Sequence, residues 1–140
     1  MKPVQLNIGQ KEALLDLFFN VGAKKLSNSK LVTHIKNKNF DEATSEINFI
    51  SSNHKIFAGL CQRRIEDIDS FSAGRLNHKS LQLVKNIYNK GLVAFNQLIK
   101  KASGDKKQIL IQKKTTFVNE STQLINRNEQ KHKSSKKNKA

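Results

Sequence analysis

Apolar positions recur at helical spacing in six stretches, separated by polar segments rich in Asn, Ser and Lys. The first runs from about Gln10 to Val21. Asn7 precedes it with Gln10 three residues on, which predicts a capping box, and Gly22 supplies a residue free to end the helix at positive φ. Leu14, Leu15, Phe18 and Val21 fall on one face, expected to be buried with Phe18 in the core; Phe19, next to it, is divided between core and surface. Two short helices follow, one capped by Ser29 through Leu31, Val32 and Ile35, and one opened by Asp41-Glu42-Ala43 that leads into Ile47 and Ile50. From Phe57, the positions Leu60, Ile65, Ile68 and Phe71 mark a further helix closed by Ser72-Ala73-Gly74. Leu81 to Ile99 keeps the period past Gly91. Leu110, Phe117 and Leu124 then repeat every seven residues, so these last two segments are expected to pair as an antiparallel hairpin.

The pattern therefore predicts an all-α chain with no strand alternation. Its expected organisation is a small helical lobe over residues 1–74, a basic helical extension over 75–127 and a disordered Lys-rich tail over 128–140. Charge sharpens that division. Residues 1–71 carry ten Lys/Arg against eight Asp/Glu, residues 72–99 four against none, and residues 100–140 twelve against three, giving the net charge of +15. A nearly neutral first half and a strongly basic end place the charge that seeks a partner outside the lobe. Nucleic acid, an anionic membrane surface and anionic wall polymers all fit such a charge. The basic end lacks interleaved aromatic residues and a nucleic-acid recognition motif, and it has no strong continuous apolar face, so wall polymer is the preferred partner.

Several chemistries drop out. Cys61 is the single cysteine, so no internal disulfide can form, and it reads as a buried, neutral thiol. His34, His54, His78 and His132 are scattered without metal-ligand spacing, and neither a metal nor a cofactor is expected. No apolar run approaches the roughly 18 residues of a membrane span. Met1-Lys2-Pro3-Val4-Gln5 shows no secretory signal, so the expected location is cytoplasmic as synthesised, with access to a wall only on release.

Four pieces in order carry a resemblance: Ala13 to Gly22, which ends in Phe19-Asn20-Val21-Gly22; Asn28-Ser29-Lys30-Leu31; Phe40-Asp41-Glu42-Ala43; and Gly59-Leu60-Cys61-Gln62-Arg63-Arg64-Ile65-Glu66. Together they resemble the C-terminal lobe of phage-type lysozymes, the endolysin family of muramidases, over residues of about 10 to 71. The resemblance implies a peptidoglycan hydrolase that cleaves between N-acetylmuramic acid and N-acetylglucosamine. It implies that Phe19, Asn20, Val21 and Ser29 line the groove for a peptidoglycan glycan strand, and that Arg63 or Arg64 orients the catalytic carboxylate of the opposite lobe.

Departures from the family pattern set the expected activity. The family's general-acid glutamate lies upstream of the matching region, whereas the nine residues before Gln10 contain no Asp, Glu or Cys. Phe49 stands where the family has tryptophan, and Asn53-His54 where it has Gly-Gly. Glu12, Asp16, Glu46, Glu66, Asp67 and Asp69 are other carboxylates, but Glu66 to Asp69 reads as a solvated acidic face balancing Arg63 and Arg64. No catalytic residue is therefore assigned. The chain is expected to be inactive alone and to work with a separate N-terminal catalytic lobe; the alternative is a non-catalytic basic module that binds wall polymer or nucleic acid.

Overall fold

Asn7 opens the first helix as expected: its side chain accepts from the Gln10 N–H at 2.8 Å while the Gln10 side chain accepts from the Asn7 N–H at 3.0 Å. The computed structural model describes residues 4–138, with side chains through His132. Among them are seven helices, α1 (Ile8–Val21), α2 (Ala23–Ser27), α3 (Lys30–Lys36), α4 (Phe40–Thr44), α5 (Ala58–Ser72), α6 (His78–Lys101) and α7 (Gly104–Asn138). One antiparallel ribbon, β1 (Ser51–Ser52) and β2 (Lys55–Ile56), precedes α5. The chain is mostly all-α, and no described helix is long and apolar enough to cross a membrane.

Helix α5 is the centre of the molecule. Its buried residues Cys61, Ile65, Ile68 and Phe71 meet α1 on one side and the α6–α7 pair on another. The approach of α1 is close because its contact face is small: a Cβ on Gly9 would sit 2.4 Å from the Ser70 carbonyl oxygen of α5. Ala13 and Leu17, one and two turns on, are buried against the same helix. This sets the rotation of α1 and splits the expected face: Leu14 and Val21 pack against the core, while Leu15 and Phe18 do not. Phe18 is 47% exposed and Phe19 75%, packed edge to face with ring centroids 5.8 Å apart, and Leu15 is exposed beside them. An apolar stripe at the right spacing lost to a narrower face that lets two backbones approach and brings Asp16 onto α5.

Ile47 and Ile50 are buried, but in the chain beyond α4, which ends at Thr44. The ribbon's turn is the pair Asn53 and His54, at φ 51° and 65°. Two consecutive left-handed residues suit the tight turn whose twist matches a hairpin. Strands of two residues are too short to leave an alternation in the sequence.

Helices α6 and α7 pair as a hairpin that packs along α5, most closely at Gly91. A Cβ on Gly91 of α6 would lie 2.3 Å from Phe117 Cζ of α7 and 3.1 Å from Cys61 Cβ of α5, so only glycine admits the Phe117 ring there. That ring is stacked on Tyr88 and tilted on Phe95, with centroids 5.8 and 5.4 Å away. The disorder expected from Asn128 gives way to helix, because α7 continues to Asn138. Asn128 is buried: its side chain donates to the Gly74 and Leu124 carbonyls and accepts from the Leu76 N–H, and His132 Nε2 lies 3.1 Å from the Leu76 carbonyl. These bonds tie the α5–α6 connection to α7. Residues 139–140 of that expected tail lie outside the described residues.

Candidate functional site

Asn20 stands on the last turn of α1, where the helix meets the first half of α5. Its amide Nδ2 donates to the Asp16 carbonyl at 2.7 Å and to Asp16 Oδ1 at 3.1 Å, while Arg63 Nη1 donates to Asn20 Oδ1 at 2.6 Å. Arg63 Nη1 is also 3.9 Å from Asp16 Oδ1. Below this outer pair, Arg64 Nη2 donates to Asp16 Oδ2 at 3.1 Å. Arg64 Nε lies 3.1 Å from Asp67 Oδ2, off line for a hydrogen bond, so that contact is electrostatic. The arrangement needs an antiparallel α1–α5 pair. Asp16 and Asn20 are one turn apart on α1, and Arg63, Arg64 and Asp67 present the matching edge of α5.

Beside this network is a hollow of about 680 Å³, open on one side. Its walls are Asn20 and Val21 from α1, Lys25 of α2, Phe49 and the Ser51–His54 ribbon turn, and Leu60 of α5. Arg64 underlies it with a side chain fully covered, so coverage rather than proximity decides its role: it holds Asp16, and through Asp16 it holds Asn20. Hydroxyl and amide groups thus face apolar Val21, Phe49 and Leu60, a mixture suited to a ring with polar edges and a carbon-rich face. The ten lining residues include no carboxylate.

Residues 1–67 match the family model described as phage lysozyme. This segment belongs to the phage lysozyme family. No curated protein and no solved structure matches the chain. A phage lysozyme domain suggests a lysozyme-type hydrolase with peptidoglycan as its substrate. The match ends within α5, so α6 and α7 lie beyond it.

Within the lysozyme-family segment, the structure brings together Asn20, Val21 and Arg64 of the residues singled out from sequence, with Arg63 bonded to Asn20 at the edge. Phe19 points to solvent and does not line the hollow. Ser29 is elsewhere, its hydroxyl accepting from the Val32 N–H and donating to the Leu26 carbonyl as the cap of α3. Arg63 is about half exposed, whereas Arg64 is fully covered. Sequence reading missed Asp16 as the hub and the serines of β1 as lining. The signal for Asp16 was its place one turn before Asn20.

Burial dictates the proton inventory. Asp67 is pushed up to about 8, first by burial and then by a side-chain hydrogen bond with Asp16, against the pull of Arg64. Asp67 therefore keeps its proton at neutral pH and directs it toward Asp16, whose carboxyl group also meets the guanidinium of Arg64. Burial lowers the affinity of Arg64 for its proton, opposed by Asp67 and Asp16. Burial and the neighbouring Glu120 of α7 raise Glu66. Cys61 is buried and pushed up to about 11, so it is a neutral packing residue.

The sign for stability follows from Asp67. Between its ordinary 3.8 and its folded value of about 8, the native protein holds a proton that the unfolded chain has released. Stability from this group is complete below the lower value and is lost as pH rises through the upper one. Urea midpoints measured from pH 5 to pH 9 should fall, with Asp67 contributing at most about 1.4 kcal/mol per pH unit. Asp67→Asn keeps a donor toward Asp16 without a titrating proton and should flatten the profile; identical slopes for the two proteins would refute the assignment.

Proposed function

We propose that residues 1–74 form the glycan-holding wall of a lysozyme-type peptidoglycan hydrolase, with Asn20 and Val21 against the strand. The observation that carries this reading is the fixation of the Asn20 amide by Asp16 and Arg63 at the lip of the hollow. A carboxamide oxygen has two lone pairs, and Arg63 uses one. The other is free to accept from a sugar hydroxyl or an N-acetyl N–H, and the ordering cost is already met by the network. Ser51, Ser52 and Asn53 add polar groups on the facing side, with Val21 and Leu60 beneath the carbon face of the ring.

Hydrolysis of a glycoside requires a proton donor at the leaving oxygen. The hollow's lining provides none, and the nearby Asp16 and Asp67 are engaged with each other and with Arg64. The donor then belongs to a facing wall. Arg63 is the better placed of the two arginines to orient it, since its side chain is exposed while Arg64 is covered. The exposed Lys106, Lys107 and Lys113 of α7 favour a second reading, in which the chain holds anionic wall polymer without cleaving it.

The test is affinity for an N-acetylated oligosaccharide. Asn20→Ala should weaken it about 10- to 100-fold, the range expected for loss of a well-placed hydrogen bond together with the order it maintains. An unchanged affinity would remove Asn20 from the site. Mixing the protein with a glutamate-bearing lysozyme lobe should clear peptidoglycan if the wall serves hydrolysis; binding without clearing selects the second reading.

A further inference from the structure

The hollow beside Asn20 does not end at the ribbon turn. His54 lines it and also lines a second hollow of about 550 Å³, whose other wall is α6: Asn89, Lys90, Val93 and Gln97 face Lys55 and Ile56 of β2. Asn89 in turn borders a third hollow of about 560 Å³ that includes Lys79 and Gln82. The three adjoin one another through single shared residues, along a track from the end of α1 across the ribbon to the outer face of α6. The family match stops before α6 begins.

We infer that the groove continues past His54 onto α6 and that the second hollow binds the carboxylate-bearing continuation of a saccharide strand through Lys55 and Lys90. This rests on the reading of the first hollow as a glycan site. Three observations carry the extension. No Asp or Glu lines any of the three hollows, in a protein with 11 such residues. Neither Lys55 nor Lys90 forms an ion pair among the described residues, whereas Lys79 in the third hollow faces Glu42 at 3.4 Å. The second hollow also combines the amides of Asn89 and Gln97 with exposed Val93. Amides and a small apolar surface suit a sugar ring, and two ammonium groups without an ion pair, that of Lys55 resting 5.7 Å from the centre of the Phe57 ring, suit the carboxylates of peptides attached to it. A neutral oligosaccharide has no group to meet those charges. The turn residue His54, held in the left-handed region, sits where one hollow gives way to the next.

The experiment compares three probes of equal length: a neutral N-acetylglucosamine hexamer, a peptidoglycan strand fragment bearing peptide stems, and the same fragment with its carboxyls amidated. The stem-bearing fragment should bind about ten-fold tighter than the other two, a modest gain in keeping with exposed charge pairs. Lys55→Ala with Lys90→Ala should remove that gain and leave the hexamer's affinity intact, and Asn20→Ala should weaken all three. Both lysines are exposed, and a melting curve checks that the double variant folds. If the hexamer binds in an Asn20-dependent way but stems add nothing, or the double variant keeps the gain, the extension is wrong and the first site stands. Equal competition by poly-glutamate would reduce the second hollow to a general charge effect and overturn the proposal. If no probe binds, both readings fall.

Discussion

Phe117→Ala should lower the unfolding free energy by about 3–5 kcal/mol, the usual cost of removing a large buried ring that its surroundings cannot collapse to replace. The ring is fully buried and packs on Tyr88, Gly91 and Phe95 of α6, with Cys61 of α5 on the other side of Gly91. Its neighbours are two aromatic rings, Tyr88 and Phe95, and the backbone at Gly91, none of which can swing in to fill the space. Gly91→Ala attacks the same contact from the other side, since its new Cβ would overlap the ring edge, and overpacking of this kind costs about 1–3 kcal/mol. The two changes should not add. With the ring gone, the Cβ at residue 91 has room, so Gly91→Ala should be close to neutral in the Phe117→Ala background. Urea denaturation of the four proteins measures the coupling directly; additive losses would mean that Phe117 and Gly91 do not share a contact.

Arg64→Met should cost about 3 kcal/mol, toward the lower end of what breaking a buried ion pair costs. The size of the loss depends on which charge is left behind. Asp67 already holds its proton at neutral pH, so the loss of Arg64 strands the Asp16 carboxylate, and that side chain keeps 35% of its surface in solvent. Partial hydration limits the penalty. Methionine replaces much of the apolar stem and leaves a hydrogen-bonding deficit rather than a void. Adding Asp16→Asn should recover most of the loss, because the stranded charge goes with it. A single-variant cost below about 1 kcal/mol would show that the pair is screened like a surface bridge and does not anchor α1 to α5.

What could be read from the sequence was what short-range physics decides. The Asn7–Gln10 capping box, the Ser29 cap and the seven-residue spacing of Phe117 and Leu124 each depend on residues within a turn or two, and each is present in the structure, with Leu110, one repeat earlier, only partly covered. The face of α1 was only half legible from its hydrophobic pattern, which placed Leu14 and Val21 against the core but also Leu15 and Phe18. Leu15, Phe18 and Phe19 outweigh Ala13 in any apolar average, yet Gly9 and Ala13 win because they permit close backbone approach and because Asp16 finds Arg64, 48 residues away. Asn128 was hidden in the same manner. At the head of a Lys-, Ser- and Asn-rich end it reads as tail, and only the fold supplies the Gly74 and Leu76 backbone groups it bonds. For the site, the motif pointed to Asn20 and the Arg63-Arg64 pair, while Asp16, the serines of β1 and the second hollow on α6 depend on tertiary placement.

The measurement that tests the glycan wall most directly is a backbone amide NMR titration of the full chain with a neutral N-acetylglucosamine oligomer. A glycan wall gives saturable shifts concentrated at Asn20 and Val21, at Ser51 to His54 and at Leu60, all lost in Asn20→Ala while the rest of the spectrum is retained. Shifts confined to the basic helix α7, or none at saturating sugar, would contradict it.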